Sequence, residues 1–144
     1  MYHRILLPTD GSPGADPATD HALDLAREYD AALYALYVVD TDALPVDSHA
    51  ALITAALETE GRVALEAIVD RAHELGVDPV VDELREGTPH EEILAAIDDH
   101  DVDLVVMGTH GRRGLDRYVL GSVTERVLRL SDVPVLTVRQ RVGD

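Results

Sequence analysis

Five short apolar runs, each separated from the next by a helix-length amphipathic stretch, constrain this chain more than any other feature. They are Tyr2–Thr9, Ala32–Val39, Val77–Arg85, Val102–Met107 and Val133–Val138. No two-residue turn signal joins any neighbouring pair, so antiparallel hairpins are not indicated. Strands that alternate with helices are connected by crossovers, and crossovers generate a parallel sheet covered on both faces. The expected fold class is therefore α/β: a doubly wound, Rossmann-like domain with five parallel strands. Val77–Arg85 alternates apolar and charged residues, which places it near a sheet edge.

The intervening segments read as helices with recognisable ends. Ser12-Pro13 resembles an N-cap followed by proline in the first turn, and Ala18, Ala22, Leu25 and Tyr29 recur at helical spacing. Asp40–Ser48 is polar, contains a proline and reads as a loop. The long helix after it carries Leu57, Ala64, Ile68, Ala72 and Leu75 on one stripe, with Gly76 placed to stop it. Thr88-Pro-His-Glu91 and Ser122-Val-Thr-Glu125 each have the spacing of a capping box. Val123, Val127 and Leu130 continue the last helix.

In open parallel sheets, ligands sit beyond the carboxyl ends of the strands where the strand order reverses. If strands one and four are neighbours at that reversal, Pro8-Thr-Asp-Gly11 and Gly108–Ser122 meet at one crevice. Gly108 and Gly111 flank the end of an apolar strand, where a missing β-carbon lets backbone approach a ligand. Gly121 precedes a helix whose first amides, at Ser122, Val123 and Thr124, have no intrahelical acceptor. A phosphate there would gain those N–H bonds and the helix dipole, a contribution of about 0.3–2 kcal/mol. On spacing alone the loop serves either an anion or a simple turn, with Ser122 capping its own helix.

Composition narrows the partners. The 144 residues include 28 acids against 12 basic residues, every one of them arginine, for a net charge of −16. Such a field repels nucleic acid and anionic membranes, so neither is an expected partner. It fits a solvated acidic surface adapted to high salt, a halophilic character. Residues 108–144 nevertheless hold seven of the arginines and four of the acids, so the segment that would meet an anion is the basic part of the chain. Without cysteine there is no disulfide, thiolate metal site or thiol nucleophile. No apolar run approaches the roughly 20 residues of a membrane span, and the N-terminus lacks signal-peptide anatomy, so a cytoplasmic location is expected.

Gly108-x2-Gly111-x9-Gly121-Ser122 resembles the G-x2-G-x9-G-(S/T) signature of the ATP-binding subgroup of the universal stress protein family. The resemblance extends over nearly the whole chain, as one domain spanning 1–144. It includes Ile5-Leu-Leu-Pro-Thr-Asp-Gly-Ser12, Tyr37-Val-Val-Asp40, Gly87-Thr-Pro and Val133-Pro-Val-Leu-Thr-Val138. It implies strand order 3-2-1-4-5 and a bound ATP or other adenine nucleotide. The adenine would meet backbone at Val39 and the ribose would lie near Asp10, with Pro8 and Thr9 shaping the wall. Phosphates would lie on the glycine loop and on the amides of Ser122 and Val123. It also implies a homodimer paired through the last strand, Val133–Arg139.

Other residues of the loops carry two readings each. Arg112, Arg113 and Arg117 clamp phosphates or salt-bridge to acids. Asp10 holds a divalent cation such as Mg2+ or Mn2+ between phosphates, or caps its own turn. His110 contacts phosphate or is solvated, and Thr124 adds a hydroxyl at the helix start. No catalytic pair is visible, so the expected function is a nucleotide-binding regulatory module in the stress response. The alternatives are a slow nucleotide-hydrolysing enzyme and a structural dimer that binds nothing. A phospho-receiver would need a lysine, which the chain lacks.

Overall fold

The computed structural model describes residues 1–11, 17–44, 49–109 and 120–139. Five strands, β1 (Arg4–Thr9), β2 (Ala32–Asp40), β3 (Val80–Gly87), β4 (Leu104–Gly108) and β5 (Val135–Val138), form one sheet of order β3-β2-β1-β4-β5. All four neighbouring pairs are parallel. Four helices, α1 (Pro17–Tyr29), α2 (Ala50–Glu74), α3 (Pro89–Asp99) and α4 (Ser122–Leu130), make the crossovers. The α/β class, the order and the edge position of β3 thus agree with expectation.

The period-2 alternation of each strand sorts its side chains into two cores. Ile5, Leu7, Leu33, Ala35, Tyr37, Val39, Leu104 and Val106 pack with Ala22, Leu23 and Ala26 of α1 and with Leu65, Ile68 and Ala72 of α2. Leu6, Leu36, Val105 and Met107 point the other way, onto Ile93, Ala96 and Ile97 of α3 and Val127 of α4. Both faces are covered, which explains why β1 and β4 read as continuous apolar runs.

Three helices stop by one device. Asp30, Gly76 and Asp101 take positive φ (55°, 77° and 54°) just past α1, α2 and α3. The next residue then returns its N–H to a carbonyl five positions back: Ala31 to Ala26, Val77 to Ala72, and Val102 to Ile97, at 2.8–3.0 Å. Ala31, Val77 and Val102 are buried, as the hydrophobic contact of a Schellman stop requires. This corrects two strand boundaries. Val77 and Val102 are apolar because they seal helix ends, and β3 and β4 begin later, at Val80 and Leu104; β1 and β5 likewise begin two residues after the expected Tyr2 and Val133, at Arg4 and Val135.

The two capping boxes also form differently. Thr88 is the N-cap of α3, but its side chain makes no capping bond; its hydroxyl donates to Asp42 Oδ2 at 2.9 Å. At α4 the N-cap is Gly121, so Ser122 is the first helical residue instead of the cap. On α2 the buried stripe is Gly61, Leu65, Ile68 and Ala72, with Leu65 taking the place expected of Ala64. The Asp40–Ser48 loop opens with a 3-10 turn at Thr41–Ala43, capped by the Asp40 carboxylate accepting the Asp42 N–H at 2.9 Å. The proposed Ser12-Pro13 cap lies outside the described residues. No helix among the described residues is long and apolar enough to cross a membrane.

Candidate functional site

The strand order puts the reversal between β1 and β4, so the loops after those strands share the carboxyl edge of the sheet. The pairing itself opens there. β1 stays registered with β2 through Thr9↔Tyr37, and β4 with β5 through Gly108↔Val138. Between β1 and β4 the register ends at Leu6↔Val105. Pro8 and Thr9 on one lip, and Met107 and Gly108 on the other, therefore border an unzipped seam.

From the β1 lip the chain turns through Asp10 and Gly11, with the Gly11 N–H donating to Thr9 Oγ1 at 3.3 Å. Pro8, Thr9 and Asp10 are each half-buried. Two strands' width of backbone continues the edge, because Val39 lies two residues beyond the Tyr37 that pairs with Thr9. The Val39 side chain is 1 % exposed and packs in the core, so a ligand at this edge meets its backbone alone. Tyr37 closes the floor. Its ring edge lies where a β-carbon on Gly11 would be 3.1 Å from Cε2, and its other edge abuts Gly61 of α2. Sequence reading missed Gly61 and Tyr37, because nothing local distinguishes a glycine that admits a distant ring from one that merely weakens a helix.

The β4 lip is tied to β5 by one hydrogen bond and to the start of α4 by two. Thr109 N–H donates to the Val138 carbonyl at 3.1 Å, and Gly121 N–H donates to the Thr109 carbonyl at 2.8 Å. The Thr124 hydroxyl, 3 % exposed, donates to the Gly108 carbonyl at 2.8 Å. Thr124 is thereby a staple between helix and strand. Gly121 spends its own carbonyl on the Glu125 N–H at 2.9 Å, and as a glycine it offers the helix no side-chain cap. The amides of the first turn, beginning at the exposed Ser122, have no intrahelical acceptor and lie at the positive end of the helix dipole, with Thr124 holding that turn against Gly108. Val123 turns its side chain onto the core. His110, Gly111, Arg112, Arg113 and Arg117 lie outside the described residues.

The opposite rim is acidic. Glu86 is in register with Val39, and the neighbouring Glu58 carboxyl of α2, through hydrogen bonding and charge repulsion aided by desolvation, raises the Glu86 carboxyl above its ordinary value. Among the described residues no group of three or more histidines and acids could hold a metal ion, so a cation at Asp10 would need ligand oxygens supplied by phosphate. An anion consequently finds its best reception on the α4 side of the seam.

The family model described as the universal stress protein family matches residues 1–139. Universal stress protein MJ0531 of Methanocaldococcus jannaschii is 42 % identical over 143 residues, covering 97 % of this chain and 84 % of the relative. The structure of MJ0577, from the same organism, superposes with a TM-score of 0.86 at 34 % identity, covering 98 % of each chain. A universal stress protein solved in complex with cAMP gives a TM-score of 0.73 at 25 % identity, covering 97 % of this chain and 98 % of that one. The chain belongs to the universal stress protein family.

Proposed function

We propose that this protein is an adenine-nucleotide-binding regulatory module. The observation that carries the proposal is the first turn of α4, which has a glycine N-cap and is stapled through Thr124 beside Gly108 where the registered pairing of β1 and β4 has ended. An N-terminal turn held in that way presents several N–H donors and a partial positive charge to one point, which suits a phosphate. The G-x2-G-x9-G-S spacing of this same segment supports ATP as the occupant, or another adenylate. The cAMP complex of a family member supports the adenine class.

On this reading the base lies at the Val39 backbone and the ribose near Pro8, Thr9 and Asp10. The phosphates take Gly108, Gly111, Gly121 and the amides of Ser122 and Val123, with His110, Arg112 and Arg113 as further phosphate ligands. Any Mg2+ or Mn2+ arrives with the phosphates and meets Asp10. No paired acid and base address one point of the described crevice, so binding without appreciable turnover is the proposed mode. The module acts in the cytoplasm as a homodimer in the stress response, and neither nucleic acid nor membrane is a proposed partner. β5 supports the dimer: it ends the sheet, it is short, and its Leu136 is exposed.

Thermal shift with ATP, AMP and GTP, with and without Mg2+, on the wild type and on Gly121→Val tests the site. A ligand at 100 times its Kd adds about 2.7 kcal/mol, which for a chain of this size raises Tm by roughly 5–10 °C. The shift is expected with adenylates in the wild type and is lost in the variant. Equal shifts in both proteins, or none in either, reject the site.

A further inference from the structure

The seam between β1 and β4 has a chemical cause in the sequence. Successive residues of a strand turn their backbone groups to opposite neighbours. The His3 carbonyl accepts the Ala32 N–H at 2.9 Å on the β2 side, and the Arg4 carbonyl accepts the Asp103 N–H at 3.0 Å on the β4 side. Even-numbered residues of β1 therefore address β4. Within β4, which begins only after Asp103, the Val105 N–H goes to the Pro134 carbonyl at 3.0 Å on the β5 side, and the pairs Ile5↔Leu104 and Leu6↔Val105 agree that Leu104 and Val106 address β1. The rung that would follow Leu6↔Val105 needs an N–H at residue 8, donated to the Val106 carbonyl. Residue 8 is proline, which has none.

The neighbouring strands show that geometry elsewhere does not end the sheet early. β1 keeps its register with β2 up to Thr9, and β4 keeps its register with β5 up to Gly108. The break is confined to the side of β1 on which Pro8 lacks its donor. On the same side, the Gly108 carbonyl is engaged by the Thr124 hydroxyl of α4.

We propose that Pro8 is a positioning residue that holds the β1–β4 seam open for the nucleotide by withholding one ladder hydrogen bond. The inference rests on the nucleotide-binding reading above. Restoring an N–H at position 8 lets the strands zip by a further rung and narrows the gap in which the ligand would lie. A net hydrogen bond of ordinary strength biases such an open–closed equilibrium by roughly fivefold. Proline in a strand usually costs stability, so the same change that weakens binding leaves the apo protein as stable as before or more so.

The experiment uses the full chain with Pro8→Ala and Pro8→Val, which share the restored N–H and differ in side-chain bulk. Hydrogen exchange reads the residue-8 amide in the apo variants, thermal melts read stability, and calorimetry reads ATP affinity. The expected result is a protected residue-8 amide, an unchanged or raised Tm, and a roughly fivefold loss of ATP affinity in both variants. An unprotected residue-8 amide overturns the proposal, as does unchanged ATP affinity in both variants. Loss in Pro8→Ala alone also overturns it, because ring contact would then be the cause. Failure of the wild type to bind ATP or AMP rejects the nucleotide reading instead, whatever the exchange of the residue-8 amide.

Discussion

Replacing Gly61 with alanine tests the packing of the crevice floor, because two effects of opposite sign compete there. Alanine in a helix interior is favoured over glycine by about 1 kcal/mol, so an ordinary site on α2 would be stabilised. Gly61, however, is buried against Tyr37. A β-carbon at 61 would lie 2.7 Å from Tyr37 Cε1 and 2.8 Å from Cγ, well inside contact distance. The ring has little room to retreat: it is 4 % exposed, and its far edge meets the backbone of Gly11, where a β-carbon would already be 3.1 Å from Cε2. Overpacking of this kind costs about 1–3 kcal/mol, so it outweighs the gain in propensity.

The expected net loss is about 1 kcal/mol, a fall in Tm of roughly 2–4 °C for a domain of this length. Urea unfolding of wild type and Gly61→Ala measures it. The double variant Tyr37→Leu/Gly61→Ala isolates the cause: with the ring gone, alanine at 61 becomes neutral or stabilising relative to Tyr37→Leu alone. If Gly61→Ala is instead more stable than the wild type, the ring does not press on α2 and the account of the floor is wrong. Because the displaced ring pushes towards Gly11, the single variant also binds adenylate less tightly.

Two further predictions concern charge. Burial raises the Glu83 carboxyl, but hydrogen bonds and charge from Arg85 and His100 outweigh it and hold the group below its usual value of 4.5. Arg85, itself raised despite burial by Glu83 and Asp99, also lies 3.6 Å from Glu92 and so clamps β3 to α3. A lowered folded-state value means that the stabilisation is complete above the unfolded pKa and is lost as pH falls through the folded one. The stability difference between wild type and Arg85→Gln is therefore constant near neutrality and narrows below about pH 4.5; a gap unchanged from pH 7 to 3 would refute it. The net charge of −16 predicts a higher Tm in molar KCl than in dilute buffer, since a Debye length of about 3 Å at 1 M screens self-repulsion. Equal melting temperatures in the two salts would show that self-repulsion does not limit this fold.

Much of the architecture was legible because its signals are local. Alternating apolar runs and amphipathic stretches specify strands and helices through periodicities of 2 and 3.6, and both cores follow those periods. Gly76 marked the end of α2 through the one conformation that favours glycine. The strand order came from the family resemblance, since periodicity by itself leaves the order of parallel strands open. The misplaced starts of β3 and β4 have a physical reason. A buried valine that seals a helix and one that begins a strand look alike until the N–H of Val77 or Val102 is seen returning to its helix.

The strand order does bring the loops after β1 and β4 to one edge of the sheet, and Pro8 wrote its missing donor into the sequence itself. What the sequence determined alone was the set of elements, the loops rich in glycine and hydroxyls, and the uneven charge. Only the tertiary structure decided which backbone groups face which neighbour. It turned Ser122 from cap into first helical residue, sent the Thr88 hydroxyl to Asp42 and the Thr124 hydroxyl to Gly108, and set Gly61 against Tyr37. The last three of those outcomes depend on partners from 16 to 46 residues away in the chain. A short polar side chain takes the best acceptor that folding brings within reach, and local sequence cannot say which one that will be.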